Sequence, residues 1–169
     1  MIKKLIYFTF FVFGISVFFG GCTRDDLCPA ETATTPNMII TFHDYRNENR
    51  RKAVEGISIE TWETEPDIVL RRTSSDSVSV PLNVNSHETG YRFIKTTITE
   101  TDTIVDVEEI RFSYLKKDIY VNRACGFRAE FGNLEIEEHR TTGNPWVREI
   151  KIKTDSIVDE TKAHITILH

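Results

Sequence analysis

Five histidines, His43, His87, His139, His164 and His169, are the side chains of this 169-residue chain best suited to acid–base or metal chemistry near neutral pH. They are scattered, without the close spacing by which zinc motifs bring two ligands to one ion, so no metal site is expected. His43 with Asp44 reads as a solvated pair closing a strand, and His164 as a packed histidine heading the last one. A hydrolase serine would sit in a Gly-x-Ser-x-Gly elbow, which the sequence lacks; Ser77 and Ser79 fall in a strand pattern instead. Carboxylates adjoin at Glu108 and Glu109 and at Glu137 and Glu138. Neighbours in a strand point to opposite faces, so neither pair can act on one substrate atom, and both read as solubilising charge. Asp25-Asp26 and the stretch Asp102 to Asp106 lack the oxygen spacing of a calcium loop. Trp62 and Trp146 could offer a platform on which a sugar ring stacks; the competing reading is packing, with Trp146 covering the open end of a core. The expectation is no enzyme and no cofactor.

Cysteine carries the more specific chemistry. Lys3 and Lys4 precede an apolar run from Leu5 to Phe19, which ends in Gly20, Gly21 and Cys22. That is the layout of a secretion signal, and a run of about fifteen residues is short of the roughly twenty that span a bilayer as a helix. Small residues directly before a cysteine resemble the lipobox of bacterial lipoproteins, where the thiol is acylated before the chain is cut. Cys22 is therefore the expected lipidation site; the alternatives are an uncleaved or a plainly secreted form. Cys28 and Cys125 then remain in a compartment that oxidises thiols, where an even pair reads as a disulfide. A nucleophilic cysteine would need a thiolate held beside a base, and neither residue lies in such a motif. A bridge closing the loop from 28 to 125 stabilises a fold by about 4–5 kcal/mol in the chain-entropy model. Only Thr23 to Leu27 would separate lipid from bridge, a reach of at most about 20 Å, so the domain is expected to work against the membrane that holds it, with partners in that membrane.

The elements that would position these residues read as strands. From residue 37 onward, short alternating stretches recur with no sustained helical spacing. Their apolar members are Met38, Ile40 and Phe42; Ile57 and Ile59; Ile68 to Leu70; Val78, Val80 and Leu82; Tyr91 and Phe93; Ile110, Phe112 and Tyr114; Phe127, Ala129 and Phe131; Ile150 and Ile152; and Ile165 and Ile167. Turn chemistry falls at Pro66-Asp67, Ser74-Ser75-Asp76, Gly132-Asn133 and Gly143-Asn144-Pro145. Pro81 marks an edge or a bulge, Thr96 to Thr103 an exposed hairpin, and Tyr45 to Val54 leaves room for a helical turn. About nine strands so spaced predict an all-β, two-sheet β-sandwich, immunoglobulin-like or transthyretin-like, with a small β-barrel as the alternative. The division is residues 1–21 as signal peptide, 22–36 as lipidated short tether and lead-in, and 37–169 as one β-sandwich domain, a size that buries a core. Loss of Lys3 and Lys4 takes the formal net charge from −5 to −7, which argues against a nucleic-acid partner. The one basic cluster, Arg50, Arg51 and Lys52, reads as a solvated loop.

Three fragments carry a resemblance: Cys22 with Arg24-Asp25-Asp26-Leu27-Cys28; Thr35-Pro36 with Phe42 and Asp44; and Tyr120-Val121-Asn122-Arg123-Ala124-Cys125-Gly126. The chain resembles an uncharacterised family of lipoproteins from Bacteroidetes, a domain of unknown function, over essentially its whole mature length, most strongly at Arg123 to Gly126. The resemblance implies lineage and compartment, namely a cell-envelope protein lipid-anchored to the outer membrane, with the periplasmic face favoured over the cell surface. Asp25-Asp26 partly resembles the acidic export signal of surface lipoproteins, although Thr23 and Arg24 intervene. It implies no mechanism. Lipoproteins of such bacteria often serve as accessory subunits beside outer-membrane barrel proteins, and a non-enzymatic interaction subunit of that kind is the function expected; the alternative is a ligand-binding, glycan-directed module.

Overall fold

A computed structural model describes residues 27–169; the signal segment, Cys22 and Asp25-Asp26 lie outside the described residues. Ten strands follow one another: β1 (Met38–Asp44), β2 (Asn47–Arg51), β3 (Val54–Thr61), β4 (Ile68–Ser75), β5 (Ser77–Val80), β6 (Glu88–Ile98), β7 (Thr103–Asn122), β8 (Gly126–Thr142), β9 (Glu149–Ile152) and β10 (Ile165–Leu168). They form two five-stranded sheets, one ordered β4-β3-β6-β7-β8, the other β2-β1-β10-β9 with β5 also on β1. The arrangement is a two-sheet β-sandwich, not closed into a barrel.

Alternation explains why these segments choose strand. Along β7 every second residue from Asp106 to Tyr114 is buried and the residues between are partly exposed, so one face meets the core and the other meets water. β1 sits at the centre of its sheet. Its residues 40–43 pair in parallel with β10, while its other side is shared between β5, over 38–41, and β2, at 43 and 44. The core gathers Met38, Ile40 and Phe42 from β1, Ile57 and Ile59 from β3, Tyr91 and Phe93 from β6, Ile110 and Phe112 from β7, and Ile165 and Ile167 from β10.

Two compact units divide the chain: a small one containing the segment through Thr32 and the turn Asn122–Gly126, and a large one of Ala33–Val121 with Phe127–His169, which holds both sheets.

Several expectations are corrected. Tyr45 to Val54 holds no helical turn; the chain reverses after Asp44 and forms β2, whose five residues are all exposed, so Arg50 and Arg51 lie on an edge strand, with Lys52 just past it, and not in a loop. Its sequence Asn-Glu-Asn-Arg-Arg has no apolar face to betray a strand. Gly132-Asn133 is no turn between strands but an irregularity inside β8, where Asn133 adopts a left-handed φ of 52°. β5 stops at Val80, before Pro81. Ile68 and Phe127, counted among the apolar faces, are exposed.

Candidate functional site

Cys28 and Cys125 are joined by a disulfide, their Cα atoms 4.8 Å apart. The bridge is in the small unit, where Cys125 tops the turn between β7 and β8. Two local contacts shape that turn: the Cys125 backbone N–H donates to Asn122 Oδ1 at 2.8 Å, and Cys125 Sγ lies 3.6 Å from Thr32 Oγ1. Asn122 is thus an Asx-type turn former that presents Cys125. The lipidation residue itself, Cys22, falls outside the described residues.

In the large unit, the most heavily hydrogen-bonded side chain is one that sequence reasoning set aside. Glu108 is fully buried. One carboxylate oxygen accepts from Thr141 Oγ1 at 2.6 Å and lies 2.8 Å from His139 Nε2; the other accepts the backbone N–H groups of Trp146 and Val147 at 2.9 and 3.1 Å. Two residues earlier on the same face, Asp106 accepts the backbone and side-chain amides of Asn144 at 2.8 and 3.1 Å. Glu108 is therefore no solubilising charge. The signal that could have found it was the alternation: in β7 it shares a face with Ile110 and Phe112, whereas Glu109 faces out and pairs with Arg92 at 3.0 Å. These four contacts make the Glu108 carboxylate a clamp on the loop from Asn144 to Val147.

That loop carries Trp146, which is buried beside Phe42 and His169, with ring centroids 6.3 and 6.0 Å away. Its indole nitrogen finds no acceptor among the described residues. Trp62 lies elsewhere, on the outer face of the other sheet, so the two tryptophans form no common platform. Trp62 packs closely on Gly90, where an added Cβ would come within 3.0 Å of it, and the guanidinium of Arg111 lies 4.6 Å from its ring centre, a cation–π contact. It borders a cleft of about 290 Å³ whose rim includes Asn83, Ser86 and Glu88. A closed ring of hydrogen bonds fastens that rim: Asn83 N–H to Thr89 Oγ1 at 2.9 Å, Thr89 to the Tyr114 hydroxyl at 2.5 Å, and Tyr114 to Asn83 O at 2.9 Å. Burial pushes the Tyr91 and Tyr114 phenols above their usual range, which keeps both as hydrogen-bond donors.

The histidines do not converge. His164 is buried and its Nδ1 accepts the Ile39 N–H at 2.9 Å at the start of β1, while His43, at the other end of the strand, lies 2.6 Å from Glu48 O. Asp44 beside it is held below the usual carboxylate range by Arg50 and by the Arg46 N–H. Burial lowers the His164 imidazole against the pull of Asp159 and Glu160. Among the described residues no group of three His, Cys, Asp or Glu side chains is placed to hold a metal ion, and no helix is long and apolar enough to cross a membrane.

No curated protein and no solved structure matches the chain. A family model does match, over residues 56–169, a stretch that runs from the bulge in β3 through β10 and takes in both Cys125 and the Glu108 clamp; by that match the chain belongs to the family of unknown function DUF6452.

Proposed function

We propose that the chain is an envelope lipoprotein of a Bacteroidetes bacterium, cut before Cys22, acylated on that residue and held at the periplasmic face of the outer membrane, and that it works without catalysis as an interaction subunit beside outer-membrane barrel proteins. The observation that carries the reading is the Cys28–Cys125 bridge six residues after the lipobox cysteine. A lipid and a covalent staple that close together keep Cys28 within about 20 Å of the acylated residue, a geometry suited to partners in the same membrane and unsuited to a roaming enzyme. Membership in a family of unknown function is compatible with this reading and supplies no activity of its own.

Two measurements test it. Mass spectrometry of the mature protein is expected to find acyl groups on residue 22 and no free thiol at 28 or 125; an unmodified Cys22, or retention of residues 1–21, would remove the anchor. Pull-down of the tagged lipoprotein in gentle detergent is expected to recover a barrel or another envelope protein. A folded, disulfide-bonded bait that recovers none counts against the subunit role. One observation favours a second reading, a ligand-binding module: the cleft beside Trp62. Since Arg111 already covers the ring, a sugar would have to share or displace that contact. Indole fluorescence that stays flat in envelope oligosaccharide, with Trp62→Ala as control, would dismiss it.

A further inference from the structure

The face of the β7–β8 hairpin that packs inward at Phe112, Tyr114 and Phe131 does not stop where the core stops. β6 accompanies β7 only as far as Ser113. Past that point the period-two alternation carries the same strand face on to Tyr120 and, across the hairpin, Phe127. These rings pack edge to face with centroids 5.4 Å apart, as a core pair would, yet they are 59% and 66% exposed. Within residues 115–130 Lys116 pairs with Asp118 at 3.0 Å and Arg128 with Glu130, so the local positive excess, in a chain of net charge −5, is that of Lys117 and Arg123.

What covers the pair is constrained by covalent distance. Phe127 is two residues from Cys125, Cys125 is bridged to Cys28 across 4.8 Å, and Cys28 is six residues from Cys22. Fully drawn out, the path from the acylated residue to Phe127 spans at most roughly 35 Å. Rings with an exposed edge, on a segment with a small positive excess, suit the headgroup level of a bilayer, where aromatic side chains concentrate and basic side chains meet anionic phosphates. We infer that Tyr120 and Phe127 form the face that this hairpin lays on the lipid surface holding the acyl chains, so that the protein meets its membrane at two points, lipid and hairpin. The inference rests on the lipid-anchor reading above.

The test uses the acylated mature lipoprotein carrying Phe127→Trp, in vesicles of phosphatidylethanolamine and phosphatidylglycerol whose acyl chains are brominated near the headgroup. With three indoles in the variant, quenching of the new one is expected to remove about a third of the emission, while the unsubstituted protein, reporting Trp62 and Trp146, loses little. In parallel, a photoactivated lipid cross-linker is expected to label the Tyr120 and Phe127 peptides of the unsubstituted protein and to spare β4, which covers the case in which Phe127→Trp folds poorly. Equal quenching of both proteins together with an unlabelled hairpin overturns the proposal, and that is the pattern expected if a protein surface covers the pair instead. Acyl groups are weighed in the same sample: their presence with no quenching sinks the hairpin face alone, and their absence sinks the anchor.

Discussion

Glu108 shows how much a single buried acid can organise. Its carboxylate gathers the Thr141 hydroxyl, the His139 ring and two consecutive backbone N–H groups, so Glu108→Ala would leave the buried Trp146 and Val147 N–H groups without a partner, while the exposed His139 and Thr141 side chains can turn to water. A loss of about 3–5 kcal/mol is expected from urea unfolding. Glu108→Gln keeps one oxygen for the backbone amides and can donate to Thr141, so it is expected to cost less than half as much; equal losses would mean that the side chain only fills space. His164 gives a pH signature. Its folded pKa lies below the ordinary 6.5 because burial disfavours the imidazolium. Above about pH 6.5 neither state binds the proton; as the pH falls further the unfolded chain takes it up first, and stability declines until the folded imidazole protonates. His169, lowered for the same reason, adds in the same direction. Urea midpoints between pH 7.5 and 5 should fall less steeply for His164→Gln than for the unsubstituted protein, and parallel curves would assign the acid sensitivity elsewhere. Of these residues, His164 was legible as a packed histidine. Glu108 was not, because a carboxylate beside a second carboxylate reads as surface charge unless the strand's parity is followed inward from Ile110.

At the scale of elements, the apolar alternation was legible wherever a strand buries one face, as in β1, β3, β6, β7 and β10. It failed where burial does not shape the sequence. β2 lies at an edge with every residue exposed, and its strand character comes from pairing with β1, to which hydropathy is blind. The same blindness hid the length of β7 and β8, whose outer halves run past the core. Bulges were likewise invisible, although they fix how strands fit. β3 shifts register against β4 between Val54 and Ile57. Gly56 sits at that shift with a φ of +67°, and a Cβ there would lie 2.2 Å from the Thr96 carbonyl oxygen of β6. Backbone does not retreat as a side chain can, so Gly56→Ala combines a left-handed strain of about 1–2 kcal/mol with a steric clash. A thermal-unfolding loss above about 2 kcal/mol is expected, larger than for Gly132→Ala, where a Cβ meets open space. A similar cost at both positions would show that the bulge is free to relax.

At the scale of the molecule, the central pairing joins the two ends of the domain. Thr41 on β1 and Thr166 on β10 are 125 residues apart in sequence, their hydroxyls 3.2 Å apart, and β9 reaches its sheet only through β10. Closing such a loop is a principal entropic obstacle to folding. The disulfide bears on it directly: through the Cys28–Cys125 bridge the path from Thr41 to Thr166 shortens to about 54 residues, which lowers the closure cost by about 0.7 kcal/mol. If β1 and β10 are paired in the transition state, refolding with the bridge intact should be about threefold faster than refolding of the Cys28→Ser/Cys125→Ser variant. The equilibrium gain should be larger, about 4–5 kcal/mol, because the bridge constrains the whole unfolded chain and not one closure alone. Stopped-flow refolding and equilibrium unfolding in the same denaturant separate the two. A full equilibrium gain with unchanged refolding rate would place the β1–β10 closure after the barrier, with the long β6–β7–β8 meander forming first. A rate gain near the full equilibrium gain would instead put the bridge's surroundings inside the folding nucleus.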